Sequence, residues 1–347
     1  MSSLQVVCPL CPLHCDDIDP SALSLGSTGC HRADSQMNAI VRSACPTVSA
    51  QVLEECRQWV AQAKRIVFDG DVIDLETSRA IADFMDATGA ELGVVGDSAY
   101  ADAFSREGAF TTTLGELTAR ETSMLVIGDP ASHWPRINEK LSSIAHRVDW
   151  ECSSRLPTQL ASLRHKLTPR SPVQASEESD AAVEAAFELV RQSKYLVVLV
   201  APDAFREAGE SPVQADIAWA SLLGMIRELN QTTRASLLNF DRSLTVRSVV
   251  ASRGLASTLN FPRSDESLCI YFSPLGKMPA NKKMRTIVIG RCDQPLGSEM
   301  RLLPASVAGV HHAGIVMRGD GSVTLPLQAP LSNASFLTPA QQLRSLL

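Results

Sequence analysis

Hydrophobic positions in this chain fall in short consecutive runs rather than in strict alternation with polar ones. Seven short apolar runs, most with β-branched residues, stand out: "RIVFDG" (65–70), "ELGVVG" (91–96), "MLVIGD" (124–129), "YLVVLVA" (195–201), "SLLNF" (236–240), "LCIYF" (268–272) and "RTIVIG" (285–290). Several are apolar at successive positions. Successive side chains of a strand point to opposite faces, so such runs predict strands buried on both sides. Between them, apolar residues recur at helical spacing over 52–63, 75–89, 180–193 and 213–230. Gly89 stands where a helix closes in the left-handed conformation. Strands alternating with helices predict α/β architecture with a mostly parallel sheet. The Pro/Ser-rich stretch 168–180 predicts a linker and a domain boundary. The expected organisation is a cysteine-rich subdomain over 1–50, an α/β domain over 51–168, a second over 180–300, and a C-terminal segment over 301–347 that returns to the body.

Composition narrows the function classes. A chain of 347 residues can bury the cores of two or three domains, and 45% hydrophobic with 20% charged residues is ordinary for a globular protein. The net charge of −6, with no basic block, argues against nucleic acid or an anionic membrane as partner. The opening "MSSLQVV" lacks the charged-then-apolar order of a signal peptide, and the strongest apolar run, 195–201, is far too short to cross a bilayer. The expectation is a cytoplasmic protein whose nine cysteines serve as ligands or core residues rather than disulfides.

Four of those cysteines carry the clearest chemistry. Their spacing is Cys8-x2-Cys11-x3-Cys15-x14-Cys30, with Pro9 and Pro12 stiffening the loop. Four thiolates so placed suit an iron–sulfur cluster. A zinc site is the competitor, although it commonly shows two Cys-x2-Cys pairs, and unligated cysteines in a packed loop are the third possibility. Cys45, Cys56, Cys152, Cys269 and Cys292 are scattered and read as core residues. Other motifs carry less. G-x-G-x-x-G, G-x-x-x-x-G-K-[ST] and H-E-x-x-H are absent. "GSTG" (26–29) lacks one residue of a nucleophile elbow and reads as the turn before Cys30. His311 and His312 adjoin in a strand-like segment and should face opposite ways. Asp16 and Asp17 read as local caps or ion-pair partners, and the helix around Trp219 as core.

The opening "VVCPLCPLHCDDI" with Gly29–Cys30 resembles the start of the B subunit of formylmethanofuran dehydrogenase, a molybdopterin oxidoreductase. The resemblance continues in order. "TLGELTARETSMLVIGDPASHWPRINEKL" (113–141) is similar to a family segment at Thr113–Glu116, Gly128, Pro130, Ser132, His133, Pro135 and Arg136, and 302–321 is similar to its closing segment at Gly314, Met317, Arg318 and Asp320. This implies an N-terminal cysteine-rich subdomain followed by two Rossmann-like parallel-sheet domains of the molybdopterin oxidoreductase type. It also implies a [4Fe–4S] cluster on Cys8, Cys11, Cys15 and Cys30.

The departures matter as much as the matches. The family places a molybdenum- or tungsten-binding cysteine or selenocysteine before the Glu of the first α/β helix, and here Leu75 precedes Glu76. Leucine offers a metal no lone pair. The family's Cys-His-Gly-Pro segment corresponds to "DAFSREG" (102–108), without its cysteine or histidine. The resemblance therefore implies a degenerate pterin site near Leu75, Glu76, His133 and Arg136, with molybdopterin lost and no catalytic residue. The B subunit of the formyltransferase/hydrolase complex fits this pattern. It implies a structural subunit in tetrahydromethanopterin/methanofuran-linked one-carbon metabolism, with a hydrolase-type A subunit, a C subunit and a formyltransferase D subunit as partners. The alternative is a redox-active formylmethanofuran dehydrogenase subunit with molybdopterin and cluster.

Overall fold

Each of the seven short apolar runs contributes a strand. A computed structural model describes residues 5–42, 48–93, 98–168, 180–202, 204–205, 212–255, 267–277, 284–292, 294–332 and 336–347. Its strands are β1 (Arg65–Gly70), β2 (Glu91–Leu92), β3 (Ser123–Ile127), β4 (His146–Trp150), β5 (Tyr195–Val200), β6 (Arg234–Leu238), β7 (Ser267–Ser273), β8 (Arg285–Gly290), β9 (Met300–Pro304), β10 (Gly314–Met317) and β11 (Thr324–Leu327). The chain divides into two compact units, Met1–Gly96 with Asp241–Leu347, and Asp97–Phe240.

The first unit holds a parallel sheet in the order β2-β1-β7-β8-β9. Counted within the unit, this is 2-1-3-4-5, and the direction of strand addition reverses between β1 and β7. At the end of β1, Gly70 has φ +98°, and a side chain there would put its Cβ 2.2 Å from the Phe272 carbonyl of β7. Only glycine allows that approach. The helix Leu75–Thr88 starts where Asp74 accepts the Thr77 amide at 3.1 Å and stops at Gly89, φ +70°. Its inner face buries Ala80, Ile81, Phe84 and Met85, with Phe84 edge-on to Phe68 of β1 at 5.4 Å. Each of the larger side chains contributes roughly 1.5–3 kcal/mol by leaving water.

The second unit holds β4-β3-β5-β6, again parallel, or 2-1-3-4 within the unit, with its reversal between β3 and β5. Helices Leu156–Leu167, Ala181–Gln192 and Pro212–Leu229 feed its core, where Trp219 is 2% exposed and meets Phe205 at 5.0 Å. Trp219 is a core residue, as its helical pattern predicts.

Two expectations are corrected. The boundary expected at 168–180 does not separate two sheets: β3 and β4 before it pair with β5 and β6 after it. Residues 169–179 themselves, like Cys45, lie outside the described residues. Nor is 1–50 a body apart, since its described residues belong to the first unit. The chain leaves one sheet after β2 and completes it with β7 some 170 residues later, a closure that linear composition does not record. The pattern also misses β4, whose "HRVDW" is charged and half-exposed as an edge strand, and β9, β10 and β11.

Candidate functional site

The cysteine loop is closed by backbone before any ligand is considered. Val6 donates to the Ile18 carbonyl at 2.8 Å and Cys8 to the Cys15 carbonyl at 2.8 Å. The turn between them needs a left-handed residue, and His14 supplies it at φ +42°, with its Nδ1 3.1 Å from the Cys8 carbonyl oxygen. "GSTG" forms a turn: the Thr28 amide and hydroxyl both donate to Asp34 at 2.7 Å, and Thr28 Oγ1 accepts the Cys30 amide at 3.2 Å. Cys30 thus sits just before the helix His31–Arg42. Cys8, Cys11 and Cys15 are buried and Cys30 is half-buried.

The thiols share one neighbourhood. Burial pushes the Cys8 thiol well up, and Cys11, Cys15 and Cys30 push it further. Burial also raises Cys11, against the pull of Arg32 and Arg242. Raised in this way, the free Cys8 and Cys11 thiols stay protonated at neutral pH, so a metal must displace their protons to bind. Among the described residues, no group of three or more His, Cys, Asp or Glu is placed to hold a metal ion.

The C-terminal segment clamps this loop. The Gly319 amide donates to the Pro12 carbonyl at 2.8 Å, and a Cβ on Gly319 would lie 2.7 Å from that oxygen, so the approach requires glycine. Arg318 pairs with Asp16 at 2.8 Å, and the Val7 amide donates to Gln328 Oε1 at 3.5 Å. Three of the resembling positions therefore have structural work: Arg318 in this clamp, Asp320 accepting the Ser322 amide and hydroxyl, and Met317 donating its amide to Thr245.

The segment 113–141 is likewise built for folding. Thr113 and Glu116 form a capping box at the helix Leu114–Thr118. Glu116 also accepts from Thr112 Oγ1 at 2.8 Å, which in turn accepts the buried Tyr195 hydroxyl at 2.7 Å. His133 ends the short helix Pro130–His133 after β3, half-buried, and Arg136 pairs with Glu139. These two belong to the second unit, whereas Leu75 and Glu76 belong to the first. Leu75 opens the helix Leu75–Thr88 and is half-buried, and Glu76 is exposed and pairs with Arg344 at 3.2 Å. His311 and His312 lie in a turn before β10 rather than in a strand. His312 Nδ1 is 2.8 Å from Ser306 Oγ, and His311 Nδ1 accepts the Val307 amide at 3.1 Å. Burial lowers both, His311 to about 4, so they are neutral at physiological pH.

Sequence reading missed a set of cations in the first unit. Arg242 pairs with Asp71 and reaches the Leu10 carbonyl at 3.5 Å. Arg32 and Lys277 lie within electrostatic range of the same pair. These residues come from four separate stretches of chain, and no local pattern links them.

The two 2-1-3-type parallel sheets define a Rossmann-like α/β protein. The chain matches no family model, and no curated protein matches its sequence. Its fold is similar to that of a chain in the X-ray structure of the formyltransferase/hydrolase complex (FhcABCD) from Methylorubrum extorquens in complex with methylofuran. That match has a TM-score of 0.63 at 18% identity and covers 88% of this chain and 96% of the other. No helix among the described residues is long and apolar enough to cross a membrane.

Proposed function

We propose that this chain is a non-catalytic structural subunit of a formyltransferase/hydrolase-type complex in methanofuran-linked one-carbon metabolism, in the place of the B subunit. The observation that carries the reading is Leu75. It stands at the first position of the helix after β1, where the resemblance puts a metal-binding thiolate, and an aliphatic group cannot ligate. Its neighbours are already used, Asp74 as the helix cap and Glu76 in a pair with Arg344. The fold likeness to a chain of the formyltransferase/hydrolase complex supports the reading. The partners are then a hydrolase-type A subunit, a C subunit and a formyltransferase D subunit.

Cys8, Cys11, Cys15 and Cys30 hold a [4Fe–4S] cluster in this proposal. Four thiols in one neighbourhood with Arg32 and Arg242 beside Cys11 offer ligands and compensating charge. When bound, the cluster supplies a cross-link between the Cys8–Cys15 loop and the start of the helix His31–Arg42. Two measurements test these claims. Mixed with purified A-, C- and D-type subunits under native conditions, the chain forms a stable assembly burying more than roughly 1,000 Å²; a monodisperse monomer in that mixture overturns the structural role. Anaerobically purified protein carries about four irons per chain. Molybdenum or tungsten near one per chain would instead establish the redox subunit.

A further inference from the structure

The second unit carries a cleft of about 1080 Å³ at the amino ends of β5 and β6, opposite the carboxyl ends where open α/β sheets take their small ligands. Its walls are set by the chain's own bonds. The helix Ala181–Gln192 closes at Ser193, whose amide donates to the Val190 carbonyl at 3.2 Å. The helix Pro212–Leu229 ends in a turn where Asn230 Nδ2 donates to the Ile226 and Ala235 carbonyls at 2.8 and 2.6 Å. Thr233 Oγ1 donates to the Ser193 carbonyl at 3.1 Å and joins the two turns. Leu167, Phe187, Val190 and Leu229 supply the apolar part of the lining.

Lys166, Arg191, Lys194 and Arg234 also line this cleft, and none of its lining residues is acidic. Lys166 and Arg191 sit in the last turns of their helices, where a cation complements the carbonyl end. Lys194 and Arg234 belong to no helix, so that role does not account for them. The carboxylates paired with three of these side chains, Glu184, Glu188 and Glu121, stand outside the cleft. The Arg191–Glu188 and Lys194–Glu121 pairs are largely exposed, so water screens them and they hold the cations weakly. Among the described residues Arg234, itself exposed, makes no ion pair. We infer that this cleft docks an acidic segment of a partner protein, with its carboxylates on Arg191, Lys194 and Arg234 and an apolar side chain against Phe187 and Leu229. The cleft is larger than one oxyanion fills, and its cations come from separate elements, which suits several carboxylates spaced along a chain. Asn230 and Thr233 are engaged with backbone carbonyls, so recognition falls to charge and apolar contact rather than to directed hydrogen bonds. The site is independent of Leu75, of the cysteines and of the assembly proposed above.

The test is fluorescence anisotropy of the full chain with a labelled synthetic peptide of glutamates around a central leucine. At about 50 mM salt, saturable binding with a dissociation constant of roughly 0.1 mM or tighter is expected, weakening as added salt screens the charges. The net charge of −6 repels such a peptide from the chain as a whole, so saturation reports a local site. Arg234→Gln and Lys194→Gln, both at exposed positions, each weaken binding about threefold, and together about tenfold. Arg79→Gln, at an exposed position of the first unit, removes the same charge and leaves binding unchanged. The same peptide with glutamine in place of glutamate does not bind, and serine in place of leucine weakens binding. Three results overturn the proposal: an acidic peptide that does not saturate, a double variant that binds as the parent does, or displacement of the peptide by tripolyphosphate at equal or lower concentration, which marks a site for small polyanions instead.

Discussion

At the scale of single residues, His14 couples the cysteine loop to pH. Burial lowers it from 6.5 to about 4, with Arg242 and Arg318 adding to the shift and the Cys8 carbonyl opposing it. The folded state therefore holds His14 neutral, whereas the unfolded chain takes up a proton near 6.5. This contribution is fully present above pH 6.5 and is lost as pH falls from there through about 4. Denaturant unfolding at pH 7 and pH 4.5 should show about 2–3 kcal/mol of this loss from His14. His14→Asn keeps a residue that tolerates φ +42° and should flatten that part of the decline. An unchanged pH slope in the variant would show that His14 is not the coupled group. The pairing of Arg242 with Asp71 is also a residue-scale fact, and one that their positions could not announce.

Among the elements, two short signatures acquire structural meaning. Thr113 caps the helix Leu114–Thr118, and the Tyr195–Thr112–Glu116 chain ties that cap to the start of β5. Thr113→Ala should cost about 1 kcal/mol and Tyr195→Phe a similar amount, read from denaturation midpoints. A loss near zero in both would remove the network from any role in stability. Gly70→Ala should cost at least about 3 kcal/mol or prevent folding, because its Cβ would strike the Phe272 carbonyl and φ +98° excludes a side chain. A Gly70→Ala protein as stable as the parent would contradict the β1–β7 packing. Elements whose burial is complete, such as β5, are legible from composition. Edge elements such as β4, which keep polar residues facing water, are not.

For the whole molecule, the second unit is one continuous stretch inserted between β2 and β7 of the first. Its core draws strands and helices from Ala103 to Leu237 into one hydrophobic cluster. Residues 97–240 expressed alone should therefore fold and unfold cooperatively, with a single denaturant transition. A chain with helical signal but no cooperative transition would show that the unit depends on the rest of the molecule. The sheet orders 2-1-3-4-5 and 2-1-3-4 place one strand-order reversal in each unit. In the second, the segment Asp129–Arg136 follows β3 beside that reversal.

The sequence alone determined what depends on neighbours along the chain. Runs buried on both faces mark strands, periodic apolar faces and caps mark helices, and the Cys8–Cys30 spacing marks a loop with four thiols to offer. The helix that opens at Leu75 and stops at Gly89 was legible in the same way, from its apolar period and its terminal glycine. Tertiary structure decided what depends on pairing across distance. It placed β7 beside β1 and so made a discontinuous unit of the two chain ends. It brought Gly319 against Pro12 and Arg318 against Asp16, and it set Arg242 against Asp71 and the Leu10 carbonyl. Such contacts arise because each sheet is completed by whatever strand best covers its exposed edge and faces, and that choice is made by burial in three dimensions rather than by order along the chain.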